Sequence, residues 1–181
     1  NRLGNISFNK QEKEKAQEYF KLAVNSQSSD KSFQYQKNVA KAQSAIHNRS
    51  AEASYQQGLE AFERGDNEAA ANLFGKAFEL SASGYVNRQQ FKDSRDHAKA
   101  NVLSQEGEKL FADQKYIEAL AKFQQAKDTS PEEFKAFFKR NIALSQAEVY
   151  NSEGIKLFNA GKHTEATEKF KLAITTLPSR E

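Results

Sequence analysis

Metal ligation, acid–base catalysis and phosphate binding each demand a few residue types at fixed spacing. The chain of 181 residues has three histidines, His47, His97 and His163, and no cysteine. A zinc-type site on a helix needs imidazoles, thiolates or carboxylates three or four residues apart on one face. None of the three histidines anchors such a set, and all three read as solvated surface residues. Gly161-Lys162-His163-Thr164 has the outline of a phosphate loop, in which backbone amides cradle phosphate ahead of a helix. That loop requires Gly five residues upstream of its second Gly and Ser or Thr directly after its Lys. Lys156 and His163 occupy those places. Ser7-Phe8-Asn9-Lys10 spells Ser-x-x-Lys without the companion motifs of acyl-transfer enzymes. Carboxylates alternate with bases, as in Glu12-Lys13-Glu14-Lys15, which is the pattern of a solvated helix face. Asn5-Ile6-Ser7 and Asn48-Arg49-Ser50 are glycosylation sequons that acquire meaning only in a secreted eukaryotic protein. With no catalytic constellation, metal site or cofactor motif in view, the expectation is a protein that is not an enzyme and carries no cofactor.

The residues that do recur at fixed spacing are apolar. Gly-x-x-x-Phe appears four times, as Gly4–Phe8, Gly58–Phe62, Gly107–Phe111 and Gly154–Phe158. Twelve residues after each Gly stands an alanine (Ala16, Ala70, Ala119, Ala166), and sixteen after it a phenylalanine (Phe20, Phe74, Phe123, Phe170). Nineteen after it stands a second alanine (Ala23, Ala77, Ala126, Ala173). Internal repetition of this kind marks an array whose units each bury a stripe against their neighbours. Large aromatics set against Gly and Ala predict rings packed where two helix backbones approach closely.

Composition agrees with an array. Hydrophobic residues make up 38% of the chain, and the mean hydropathy is −0.85, low for a sphere with one deep core. The 27 basic and 24 acidic residues are interspersed and leave a net charge of +3. That balance speaks against nucleic acid, which calls for bases gathered on one face. No apolar run approaches the roughly 18 residues of a membrane span. The absence of cysteine permits an oxidising compartment without indicating one, so localisation stays undetermined. Because the first Gly stands only a few residues in, while the other three follow long stretches, the chain is expected to be a fragment of a longer protein.

Each unit reads as two helices joined by a tight turn. In the third, Val102, Leu103, Leu110 and Phe111 precede Asp113-Gln114-Lys115, and Ile117, Leu120, Phe123 and Ala126 follow at helical spacing. Gly65-Asp66 and Gly161-Lys162 are suited to ending one helix and reversing the chain. Four αα-hairpins follow from this pattern, over about 1–28, 29–82, 83–129 and 130–181. Ser130-Pro131-Glu132-Glu133 predicts a helix start with Ser as N-cap, and no breaker appears until Gly154. The fourth unit's first helix is therefore expected to run from Pro131 to near Asn159. Those of units two and three should begin near 30–32 and 84–86. His47-Asn48-Arg49-Ser50 is a weak patch where the second unit's long helix could split, with Ser50 as a new N-cap. Phe134, Phe137, Phe138 and Ile142 form an apolar stripe whose expected counterparts are Phe91 or Phe33.

Taken together these residues resemble the tetratricopeptide repeat, in which a small residue in the first helix is followed by Ala, an aromatic and Ala in the second. Gly154 with Ala166, Phe170, Ala173 and Pro178 matches closely, and Gly107 with Ala119, Phe123, Ala126 and Pro131 equally well. Gly58 with Ala70, Phe74 and Ala77 lacks only the Pro. The family's period is about 34 residues, whereas the steps here are 54, 49 and 47. The residue before the Gly, usually a buried Leu, is Gln57, Glu106 and Glu153. The fold this implies is an all-α solenoid, a right-handed superhelix of four tetratricopeptide-like hairpins with extended first helices.

The resemblance also implies a concave groove lined by the first helices, receiving a peptide or a partner helix. The matching positions are Asn5 and Phe8 in the first unit; Tyr55, Leu59 and Phe62 in the second; Ser104, Glu108 and Phe111 in the third; and Asn151, Ile155 and Phe158 in the fourth. The four Phe either line the groove or form inter-repeat core. Tyr55, Leu59 and Ile155, being less regular, are expected to face the ligand. The family's basic clamp for a C-terminal carboxylate is not reproduced by Ser104, Gln105 and Asn151. The function implied is a non-catalytic protein–protein interaction scaffold. The alternative is a structural or self-assembly module that forms homo-oligomers or a spacer within a larger complex.

Overall fold

The spacing of sixteen between each repeated Gly and the second-helix Phe has a steric cause. The computed structural model describes residues 2–9, 12–25 and 29–177, apart from the side chains of residues 29–32. A Cβ placed on Gly58 would stand 2.6 Å from the ring of Phe74, one on Gly107 2.8 Å from Phe123, and one on Gly154 2.6 Å from Phe170. Gly4 meets Phe20 in the same manner. Carbon atoms do not tolerate such approaches, so a hairpin closes over its ring only where the facing residue lacks a side chain.

The described residues form α-helices and one 3-10 helix, with no strand among them. Helices α1 (Arg2–Asn9) and α2 (Lys13–Asn25) make the first hairpin, and α3 (Ser29–Glu63) and α4 (Asn67–Leu80) the second. The third is α5 (Arg88–Ala112) with α6 (Tyr116–Thr129), and the fourth α7 (Lys139–Asn159) with α8 (His163–Thr176). A 3-10 helix, Glu132–Phe138, leads into α7. Each helix packs on its neighbours in sequence, and the 3-10 segment rests on α6 and α7. At 35, 25 and 21 residues, α3, α5 and α7 are the longest helices described, as the extended stretches ahead of each Gly predict.

The turns share one geometry. Gly65, Gln114 and Gly161 each follow their unit's Gly by seven residues and take φ of +78°, +61° and +77°. This left-handed conformation is easy for glycine and costs another residue about 1–2 kcal/mol. Asp66 then caps α4 by accepting a hydrogen bond from the Ala69 amide at 3.0 Å. The equivalent Lys115 and Lys162 cannot accept one, and α6 and α8 start without a side-chain cap.

The extensions carry a second packing register. Ala51, Ala100 and Ala147, each seven residues before the Gly, are buried. Phe91 and Phe138, each sixteen before it, are buried too. Phe91 joins the cluster around Phe74 and Ala77, and Phe138 joins Ala100 and Ala126. Each such ring therefore packs on the preceding hairpin, which gives the long stretch ahead of each Gly a packing role.

Several local expectations are corrected. Helix α3 runs unbroken through 47–50, and Asn48 there, with Glu52 one turn on, holds the connection to the next unit. Asn48 Oδ1 accepts from the Ala82 amide at 2.9 Å, and Glu52 accepts from the Tyr85 hydroxyl and the Asn87 amide at 2.6 and 2.7 Å. Ser130 does not cap a new helix; its amide closes α6 on the Ala126 carbonyl. The expected first turns after Pro131 are 3-10, and the α-helix begins only at Lys139. Residues three apart eclipse in a 3-10 helix, and there the rings of Phe134 and Phe137 stack at 6.1 Å. The counterpart of Phe134 is neither Phe91 nor Phe33 but His97, stacked at 3.9 Å. Helix α5 starts at Arg88, after the expected 84–86. The Arg88 guanidinium donates to the carbonyls of Phe78 and Ser81 and to the Ser81 hydroxyl, closing the end of α4.

Candidate functional site

The first helices of units two to four, α3, α5 and α7, carry the expected site residues, and the structure treats the three sets differently. In the second unit Tyr55 is only 7% exposed and belongs to the core, against Phe74 at 5.2 Å and Phe91 at 4.8 Å. Its hydroxyl reaches Ser94 Oγ at 3.3 Å and accepts from Gln90 at 3.0 Å. The expectation that Tyr55 faces a ligand is therefore overturned: the ring is needed between three helices, and its hydroxyl is already satisfied. Leu59 and Phe62 are half-buried and pack on the same cluster.

In the third unit the arrangement opens. Ser104 and Phe111 are half-buried while Glu108 is exposed. Phe111 meets Tyr116 edge-on at 5.1 Å across the turn. A cavity of about 140 Å³ lies here, lined by Glu108, Phe111 and Ala112 of α5, Phe123 of α6, and Asn141 and Leu144 of α7. In the fourth unit Ile155 is 48% and Phe158 55% exposed, with His163 edge-on to Phe158 at 5.0 Å. Asn151 is half-buried and lines a different cavity of about 270 Å³, with Phe170, Ala173, Ile174 and Leu177. The nine expected residues therefore do not form one continuous lining. The four Phe divide as well: Phe62 belongs with the core, Phe8 and Phe111 are half-buried, and Phe158 is largely open.

The residue before each Gly gains an explanation. Glu106 pairs with Lys122 at 2.6 Å, and Glu153 with Lys169 at 2.6 Å, both sixteen residues apart. Units three and four join their two helices by this part-exposed ion pair, which solvent screens. The hydrogen bond that Lys169 donates to the Glu153 carboxylate raises the lysine's pKa.

His97 is the clearest departure from the surface reading. It is half-buried, stacked on Phe134 and 5.4 Å from Phe62, so it links α3, α5 and the 3-10 segment. Burial lowers its pKa below the usual histidine value, only partly offset by Glu133. The signal that could have found it is its place ten residues before Gly107, where the fourth unit has apolar Leu144. Among the described residues no three His, Cys, Asp or Glu side chains gather as metal ligands would. No described helix is long and apolar enough to cross a membrane. Comparison with family models, curated proteins and solved structures finds no match.

Proposed function

We propose that this chain is a non-catalytic interaction module, a tetratricopeptide-like array of four hairpins that holds a peptide or partner helix along its first helices. One observation carries the reading. Most of the recurring residues are spent on packing, with Phe158 left open, while the positions that vary between units include the exposed Glu108 and Ile155, and Glu108 borders an unfilled cavity between α5 and α7. A surface that changes from unit to unit over an unchanging frame is what recognition of a non-repetitive partner requires. The part of the groove with surface to offer is that of units three and four, with Tyr55 removed from it.

Affinity capture with the intact chain and with the Ile155→Asp/Phe158→Asp double variant tests this. Both side chains are about half exposed, so the thermal midpoint should move by a few degrees at most. Loss of a stoichiometric captured partner is the expected result; undiminished capture removes the groove of unit four from the proposal. A self-assembly reading has one observation in its favour: Leu172, Ile174 and Leu177 on and just beyond α8 are 43%, 70% and 46% exposed. Light scattering separates the two, since a monomer at all concentrations disfavours self-assembly.

A further inference from the structure

The cavity between α5, α6 and α7 has an internal control in the preceding unit. Directly after Gly58 stands Leu59, which packs on the core around Phe74. Directly after Gly107 stands Glu108, which faces solvent, and the space beside Phe123 is left open. One unit supplies its own apolar side chain where the next supplies none. The opening, about 140 Å³, is close to the ~150 Å³ of cavities that stay dry and accept a benzene-sized guest. Its walls are mostly the carbon surfaces of Phe111, Ala112, Phe123 and Leu144.

The polar part of the lining sets the guest's charge. Glu106, two residues away, is held by Lys122, whereas Glu108 has no ion pair or hydrogen bond among the described residues. Asn141 has none either. An unpaired carboxylate beside an apolar socket complements a cation joined to a small hydrophobic group.

We infer that this cavity receives one leucine-sized side chain of a partner segment that also carries a lysine or arginine to meet Glu108. The inference rests on the interaction-module reading and names the chemistry of the segment that the third and fourth units would hold. A neutral or acidic apolar segment fits the walls but not the rim.

The probe is isopentylammonium, which joins a branched alkyl group to a cation, followed by amide and side-chain NMR shifts of the intact chain. The expected result is saturable shifts confined to residues around Phe111, Ala112 and Leu144, with contacts from the probe's methyls to the Phe111 ring. Isovalerate, with the same alkyl group and opposite charge, should bind at least about fivefold more weakly, as should isopentylammonium to Glu108→Gln. Leu144→Trp should fill the socket and abolish binding. Should that variant fail to fold, Ala112→Leu, at an exposed position, fills the mouth instead. Absence of saturable shifts, equal binding of isovalerate, or binding that survives a filled socket overturns the inference. The two readings fail separately. Partner capture lost in Ile155→Asp/Phe158→Asp with no probe binding removes the socket and leaves the module. Saturable, charge-selective probe binding with capture undiminished keeps the socket and removes unit four's groove.

Discussion

At the scale of the residue, the protein distinguishes glycines by what stands opposite them. Gly107 lies in mid-helix with the Phe123 ring against it, and Gly75 lies in mid-helix with only Arg95 Cδ at 3.6 Å, an ordinary contact. Alanine favours a helix over glycine by about 1 kcal/mol, so Gly75→Ala should stabilise by up to that amount. In Gly107→Ala the same gain is set against overpacking of about 1–3 kcal/mol, because a buried ring between two backbones has no room to retreat. We therefore expect a net loss of up to about 2 kcal/mol in urea unfolding. Equal stabilisation by both changes would show that the Gly–Phe interlock is looser than the geometry states. This level of detail was legible in the sequence as a spacing but not as a cause. The recurrence of Gly and Phe sixteen apart marks a pair without saying that one must be small for the other to fit. Tyr55 was misread for a related reason: irregularity between units looks the same whether a position faces a ligand or, as here, reaches across to hydrogen-bond Ser94 and Gln90.

At the scale of the element, helix existence was legible and helix character less so. Apolar spacing and turn residues located α3 to α8, and Gln114 was correctly placed in a turn though its left-handed φ gives no sequence signal comparable to glycine's. The 3-10 opening at Glu132–Phe138 was not legible, because it depends on Phe134 finding His97 on another helix. The same contact makes the join between units sensitive to acid. Burial holds the folded-state pKa of His97 below that of the unfolded chain, so the unfolded state takes up protons first as pH falls. The contribution of neutral His97 is fully present above about 6.5 and declines as pH drops through that value toward the lower folded pKa. The thermal midpoint should accordingly fall between pH 7.5 and 5, and His97→Phe, which keeps the stack and removes the titration, should flatten that part of the profile. A profile unchanged in His97→Phe would assign the acid sensitivity to other groups.

At the scale of the whole molecule, the units are alike in sequence and unlike in circumstance. Phe74 and Phe123 are 1% and 2% exposed, and a following helix lies over each hairpin: Phe91 packs in the cluster around Phe74, and Phe138 packs on Ala126, one turn beyond Phe123. Phe170 holds the same place in the fourth unit and is only half-buried, as is Ala173 beside it, because no further described helix lies over α8. Identical substitutions should therefore have unequal effects. Phe74→Ala and Phe123→Ala empty covered sites and should cost about 3–5 kcal/mol, whereas Phe170→Ala, with less to lose, should cost about 1–3 kcal/mol. In an array of neighbour contacts a loss in the end unit need not unfold the rest, so site-resolved hydrogen exchange is the suitable measurement. Phe170→Ala should open α7 and α8 while leaving protection in α3 and α4 unchanged; Phe123→Ala should lower protection on both sides of it. A cost at Phe170 equal to that at Phe123 would mean that α8 is covered in solution. If that cost rose with protein concentration, the covering surface would be another copy of this chain, and self-assembly would displace capture of a foreign partner as the better reading of the exposed α8 face.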